Sequence, residues 1–354
     1  MTFAPDKIKY VKTEGSIEVE TKITVAPEES VEIRRLKLKN NGNNVETLEV
    51  TSYFEPVLST DIQDYAHMAF NNLFLIFKEM GNGIILIKRK KREPKQKDIY
   101  AGVNLYTENE TIGDVEYEID KEKFMGRGNF SIPEAIKNSK PFSKNLGLVT
   151  DPGLVIKKTV KILPGETATL DLIISAGYDE ETTIKLLQNY SNSNTISKVF
   201  ELSKAKTEAE TVYLGLKGKD IEKYQKMLSY LIFQNPMRKE ILQKLPKRVY
   251  SQSELWKFGI SGDLPILFVK IKDVNDIHVV RDALRAIEFF RSKNINVDLV
   301  ILNEEKNSYE HFIKFEIENE IQNKQLAFLK NIFGGIFVIN AKEISKEDVE
   351  LLEF

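Results

Sequence analysis

Ser251 to Leu267 reads SQSELWKFGISGDLPIL and crowds several uncommon residue types into one short stretch. Trp256, the sole tryptophan, is followed by Gly259, Ser261, Gly262, Asp263 and Pro265. Glycine supplies backbone conformations that other residues avoid, and the proline fixes the exit into the apolar run ILFVKI. A tryptophan and an acid on a shaped turn suit a sugar: one gives a stacking face, the other a hydrogen-bond acceptor. The plainer alternative is a packed tryptophan and an aspartate that holds its own turn. Arg127 is a second candidate, because Gly126 and Gly128 would let a backbone approach a ligand or a partner subunit closely. Its alternative is an internal ion pair to Glu118, Asp120 or Glu122.

Other chemistries find no support. The chain has no cysteine, which removes disulfides, thiolate zinc sites and a cysteine nucleophile. His67, His278 and His311 are too scattered for a metal cluster, so neither a metal nor a cofactor is expected. No phosphate-binding loop, dinucleotide fingerprint, G-x-S-x-G elbow or H-E-x-x-H motif occurs. With 51 Lys and Arg against 53 Asp and Glu, nothing favours nucleic acid or an anionic membrane as partner. The dense basic run KRKKREPKQK (88–97) could bind phosphate or a polyanion, or be a solvated edge strand and loop; the charge balance favours the latter. The start lacks a signal-peptide pattern and no apolar run approaches a membrane span, so the cytoplasm is the expected location.

The elements that must position these residues change character along the chain. At 354 residues, 42% hydrophobic and 29% charged, the composition is globular and long enough for two domains. The first ~200 residues alternate polar and apolar with period two, in SIEVETKITVA (16–26) and VEIRRLKLKN (31–40), with Val31, Ile33 and Arg35 on one face and Leu36 and Leu38 on the other. Turn signals follow at Asn40–Asn44, Met80–Gly83 and Pro164-Gly165, the last two predicting hairpins, and the whole a large antiparallel β-sandwich over 1–205. Helical spacing begins near Tyr178, and 206–247 reads as a helical connector. In it KDIEKYQKMLSYLIFQ places Ile221, Tyr224, Leu228, Leu231 and Ile232 on one side, and MRKEILQKLP forms a second short helix. From 248 to 354 strands and helices alternate as a small parallel α/β layer, with Ser345 and Asp348 forming a capping box. Three strands in about 100 residues have little to bury against.

LWKFGISGDLPIL, VDLVILNEE (297–305) and GGIFVI (334–339) resemble glycoside hydrolase family 94, the former glycosyltransferase family 36. VEIRRLKLKN, LEVTSYFEPVL (48–58), DYAHMAFNNLF (64–74), EIDKEKFMGRGNFSIPEAI (118–136) and GLVTDPGLVIKKTVKILPGE (147–166) follow in that family's order. The resemblance covers nearly the whole chain and leans to the branch of cyclic β-1,2-glucan synthases and β-1,2-oligoglucan phosphorylases. It implies a supersandwich followed by the entrance to an (α/α)6 barrel, with β-glucan oligosaccharide and phosphate as ligands. It implies further that the catalytic acid lies downstream of residue 354, so no catalytic residue is assigned and the chain is expected to be inactive alone. The missing catalytic domain would then be a partner, with a homodimer as another. Trp256, Ser261, Asp263 and Arg127 match motif positions and are the carbohydrate-binding candidates. Asp64 and His67 match too and read as structural; Met68 stands where the family usually has proline, which predicts a less rigid loop. The alternative function is a non-catalytic carbohydrate-binding or dimerisation module.

Overall fold

Period-two alternation up to Gly177 becomes two antiparallel sheets in the computed structural model, which describes residues 1–127, 132–233, 250–305 and 312–353. The larger has eight strands in the order β1 (Thr2–Phe3), β2 (Ile8–Glu14), β3 (Ile17–Val25), β4 (Val31–Asn40), β11 (Thr167–Gly177), β8 (Ile99–Tyr106), β7 (Ile85–Arg89) and β6 (Leu75–Glu79). The smaller has three, β5 (Glu46–Phe54), β10 (Pro152–Ile162) and β9 (Glu116–Asp120), with β10 central. Leu38, Phe77, Ile87, Val103 and Leu170 from the larger sheet meet Ile119, Leu154, Ile156, Val160 and Ile162 from the smaller in one core. Each face of a strand collects alternate residues, and this interface takes one of the two faces.

The other face of the larger sheet is covered as well. Helices α4 (Glu180–Tyr190) and α5 (Ser193–Tyr213) lay Leu187, Tyr190, Ile196 and Val199 against Val31, Ile33 and Ile173. Arg35 and Asp171 are cross-strand partners on this helix-facing side. Arg35 Nε donates to Asp171 Oδ1 at 2.8 Å and Nη2 to Oδ2 at 3.1 Å, while Nη1 reaches Ser197 Oγ at 2.9 Å. Gly102 lets α4 sit close, since a Cβ there would lie 2.6 Å from Leu187 Cδ1.

Several sequence expectations are corrected here. Met80–Gly83 does close a hairpin, β6 to β7. Pro164-Gly165 does not: β10 and β11 lie in different sheets, so this turn carries the chain across the sandwich. The asparagine-rich turn does the same between β4 and β5. Asn40 holds it, fully buried, with Nδ2 donating to the carbonyls of Asn44 and Ile162 and Oδ1 accepting from Gly42 N. Of the basic run, 90–97 is a largely exposed loop as expected, but Lys88 and Arg89 end β7, which sits between β6 and β8 and is not an edge. Arg89 is buried and donates to Asn71 Oδ1 at 2.7 Å, and the Arg92 guanidinium stacks over Phe70 and Phe74. The segment after His67 is not a loop. Helix α1 (Asp61–Asn72) kinks at His67, and Asn71 Nδ2 bonds the His67 and Gln63 carbonyls there.

The chain divides into two compact units, Met1–Glu208 and Ala209–Phe354. In the second, β12 (Ile266–Ile271), β13 (Asp298–Asn303) and β14 (Ile336–Asn340) form a parallel sheet with β13 in the middle. Helices α6 (Gly218–Ile232), α7 (Ile277–Ser292) and α8 (Phe312–Asn323) cover one face with Tyr224, Leu284, Phe290 and Ile317. Ile221, Tyr224, Leu228 and Leu231 point to that core, but Ile232 is exposed. The MRKEILQKLP helix and His311 lie outside the described residues. Leu255, Phe258 and Ile260 cover the opposite face together with Val349 and Leu352 of α9 (Lys346–Glu353). The three strands thus bury both faces, and every residue of β13 is buried. The capping box before α9 forms as expected: Ser345 N donates to Asp348 Oδ2 and Asp348 N to Ser345 Oγ.

Candidate functional site

The turn from Ser251 to Pro265 begins as a 3-10 helix, Gln252–Phe258, which Gly259 ends in a left-handed conformation at φ 75°. Its apolar side, Leu255 and Phe258, packs on the parallel sheet, which leaves Trp256 on the outside with 65% of its surface exposed. The indole Nε1 donates to the Ser261 carbonyl at 3.2 Å, and Gln252 Nε2 donates to the same oxygen at 3.0 Å and to Asp263 Oδ1 at 2.8 Å. Asp263 N donates to Ser261 Oγ at 3.1 Å. Gly262, at φ 76°, has no room for a Cβ beside Gln252 Cγ. Trp256, Ser261 and Asp263 are therefore brought together, with Gln252 as the bridge between them. The indole N–H is already engaged, so a ligand would be offered the ring face.

This arrangement offers an exposed ring face beside hydrogen-bonding groups. A second carboxylate, Asp298, is buried at the start of β13 and feels the charge of Asp263. Asp298 Oδ1 accepts from Gly334 N at 2.8 Å, and its main-chain N donates to the Pro265 carbonyl at 3.0 Å, which clamps the amino ends of the three strands. Burial pushes the Asp298 pKa up, opposed by the amides of Gly334 and Gly335 and reinforced by Asp263. Ligands of open α/β sheets gather outside the carboxyl ends of the strands. The Trp256 turn stands at the amino ends.

Arg127 belongs to the first unit, on the wall of a cleft of about 450 Å3 lined also by Glu118, Glu122, Glu134, Lys140 and Phe142. The cleft is built on β9 and the short helix α2 (Lys121–Met125), which Asp120 caps by accepting from the amides of Glu122 and Lys123. Phe124 anchors it between Tyr53 and Phe142, with ring centroids 5.4 and 5.8 Å away. Glu118 is buried, and its two oxygens accept from Ile119 N, Asp120 N and Ser143 N. No ion pair forms between Arg127 and Glu118, Asp120 or Glu122; Asp120 pairs with Lys123 instead. Arg127 is exposed. It can hold an anion or a sugar hydroxyl.

Sequence reasoning missed Gln252, whose amide is the link between Ser261 and Asp263; nothing in its type or spacing marks it. It also missed Lys158, and there a signal existed: a lysine stands where the β10 alternation calls for an apolar residue. Among the described residues no group of His, Asp and Glu could hold a metal, and no helix is long and apolar enough to cross a membrane.

A two-sheet antiparallel sandwich with helices on the outer face of one sheet defines the first unit as a supersandwich-type domain. The family model for the glycosyl hydrolase 94 supersandwich domain matches residues 1–193, and the chain belongs to that family of carbohydrate-active enzymes. A curated relative, the cyclic β-(1,2)-glucan synthase NdvB of Rhizobium meliloti (strain 1021), is 29% identical over 332 residues. That alignment covers 93% of this chain and 12% of the relative. Among solved structures, a human-microbiome protein described as a kojibiose phosphorylase aligns with TM-score 0.31 and 5% identity, over 56% of this chain and 22% of its own. A polysaccharide lyase aligns with TM-score 0.30 and 15% identity, over 51% and 23%. Overlaps so slight add nothing to the assignment.

Proposed function

We propose that this chain is the sandwich, connector and barrel-entrance region of an enzyme acting on β-1,2-linked glucan, by phosphorolysis or by transglycosylation. The observation that carries this reading is the alignment with a cyclic β-(1,2)-glucan synthase across 93% of the chain, through both units rather than the sandwich alone. In this reading the general acid that protonates the leaving oxygen, and most of the phosphate ligands, belong to an (α/α)6 barrel elsewhere in the full-length enzyme. Residues 1–354 contribute carbohydrate contacts: Trp256 by its ring face, Asp263 and Ser261 by hydrogen bonds, and Arg127 from its own cleft.

The test is an assay for phosphate release from α-glucose 1-phosphate with a β-1,2-linked glucose disaccharide as acceptor. Residues 1–354 should give no turnover, and turnover would overturn the placement of the acid. A second reading, a non-catalytic carbohydrate-binding module, draws support from the exposed indole whose N–H is held by its own turn. Titration with linear β-1,2-glucan should change Trp256 fluorescence under either reading. No change at millimolar sugar would remove the turn from the binding surface.

A further inference from the structure

Strand β10 carries one residue out of keeping with its face. Leu154, Ile156, Val160 and Ile162 are buried between the two sheets, and Lys158 shares their side by the two-residue period. Its side chain lines a cavity of about 370 Å3 at one end of the sandwich, between the 79–83 turn, segment 111–115 and β9. Glu79, Thr111, Asp114, Tyr117 and Lys144 line it too. Among the described residues the Lys158 ammonium has no hydrogen bond or ion pair, and burial alone pushes its pKa down. Tyr117 Oη donates to Glu79 Oε2 at 2.7 Å, which orients that carboxylate. Gly83, at φ 76°, packs its backbone so tightly on Val115 that a Cβ would sit 3.1 Å from Cγ1.

An unpaired ammonium in an apolar register works against folding, since an apolar side chain of the same length would bury there at no such cost. Departures of this kind mark sites that serve something other than stability. The lining also narrows the ligand. Two lysines face two carboxylates, so the cavity has no net charge with which to gather anions, yet it offers strong donors and strong acceptors together. Adjacent sugar hydroxyls use both at once, accepting from an ammonium while donating to a carboxylate. The volume lies at the small end of the ~300–1,000 Å3 usual for ligand pockets, room for one or two sugar rings.

We propose that this cavity is a second carbohydrate site, taking a hexose unit of a glucan with Lys158 as donor and Glu79 as acceptor. It rests on the carbohydrate reading above and shares no residue with the Arg127 cleft or the Trp256 turn.

The experiment is calorimetric titration of the 354-residue chain carrying Trp256→Ala, which silences the turn. The probes are the β-1,2-linked glucose disaccharide, the α-1,4-linked one, free glucose and inorganic phosphate. The expected result is millimolar binding of a glucose probe that weakens at least tenfold in Lys158→Met, while the melting temperature of Lys158→Met rises by ~2 °C. Lys158→Gln, which keeps a donor, should recover part of the affinity. Equal binding in Lys158→Met, or no sugar binding to the Trp256→Ala protein, overturns the site. Lys158-dependent binding of phosphate alone overturns the ligand class in favour of an anion. Lys158-dependent binding of α-1,4-linked but not β-1,2-linked sugar upholds the site and counts against the linkage proposed above. A Trp256 response to β-1,2-glucan with an indifferent Lys158 does the reverse.

Discussion

The sandwich and the α/β unit each bury an aspartate, and they hold it by different means. Asp171 lies mid-strand, directly across from Arg35, and a guanidinium from 136 residues away grips both its oxygens. Asp298 lies at a strand start and receives a backbone amide from Gly334, 36 residues on. Antiparallel pairing sets side chains of distant strands face to face, so a buried charge there can be met by another charge. In the parallel unit the groups nearest a strand end are loop amides, and one of them bonds Oδ1 of Asp298 while Oδ2 stays buried with no hydrogen-bond partner among the described residues. Burial raises the pKa of both. Asp171 therefore depends on a long-range ion pair, whereas Asp298 is held by main-chain geometry.

The sharpest way to break this comparison is Asp171→Ala, which leaves Arg35 buried without its partner. It should cost about 3–5 kcal/mol, read as a lower urea midpoint by far-UV circular dichroism. Trp256 lies in the second unit and gives that unit its own probe. A Trp256 transition that falls equally would mean that the two units unfold as one block. Next is Gly102→Ala, whose Cβ would collide with Leu187 and Ser175. Overpacking of this kind should cost about 1–3 kcal/mol, again in the sandwich transition.

Gly262→Ala tests the other side of the comparison. A left-handed φ and the clash with Gln252 predict a loss of about 1–2 kcal/mol, with a shift in the Trp256 emission maximum as the turn loosens. Arg281→Met probes acid stability in the same unit. Arg281 ion-pairs with Glu320 and lowers its pKa. A lowered carboxylate stabilises the fold above its ordinary value of 4.5 and loses that contribution as the pH falls through the lowered pKa. The variant should therefore unfold less steeply with acid below that value, and be weaker at pH 7 by no more than ~1 kcal/mol, because Arg281 is partly exposed. Smallest is Trp256→Ala. Its exposed ring should change stability by under ~0.5 kcal/mol, and a large loss would return the tryptophan to a purely structural role.

Much of this was legible in the chain. The β4 alternation placed Val31, Ile33 and Arg35 on one face and Leu38 on the other, because a strand's geometry admits no other period. The Ser345–Asp348 cap and the β-α-β-α-β order were legible because both are written in neighbouring residues. The Pro164-Gly165 turn was misread as a hairpin, since turn chemistry dictates where a chain bends but not which strand receives it. Of the candidate site, the proximity of Trp256, Ser261 and Asp263 was legible from their spacing. That Gln252 binds them was not, since its partners are chosen by the fold of the 3-10 helix.

By itself the sequence determined the segments, their periodicity, the family and the turn at Trp256, all properties of residues close in the chain or of their order. Only the tertiary structure decided which strands share a sheet, that Asp171 meets Arg35, that the turn covers the amino ends of β12 to β14, and that Lys158 looks into a cavity. Each of these depends on contacts between residues far apart in sequence, where local propensity is silent and packing of the whole unit selects the partner.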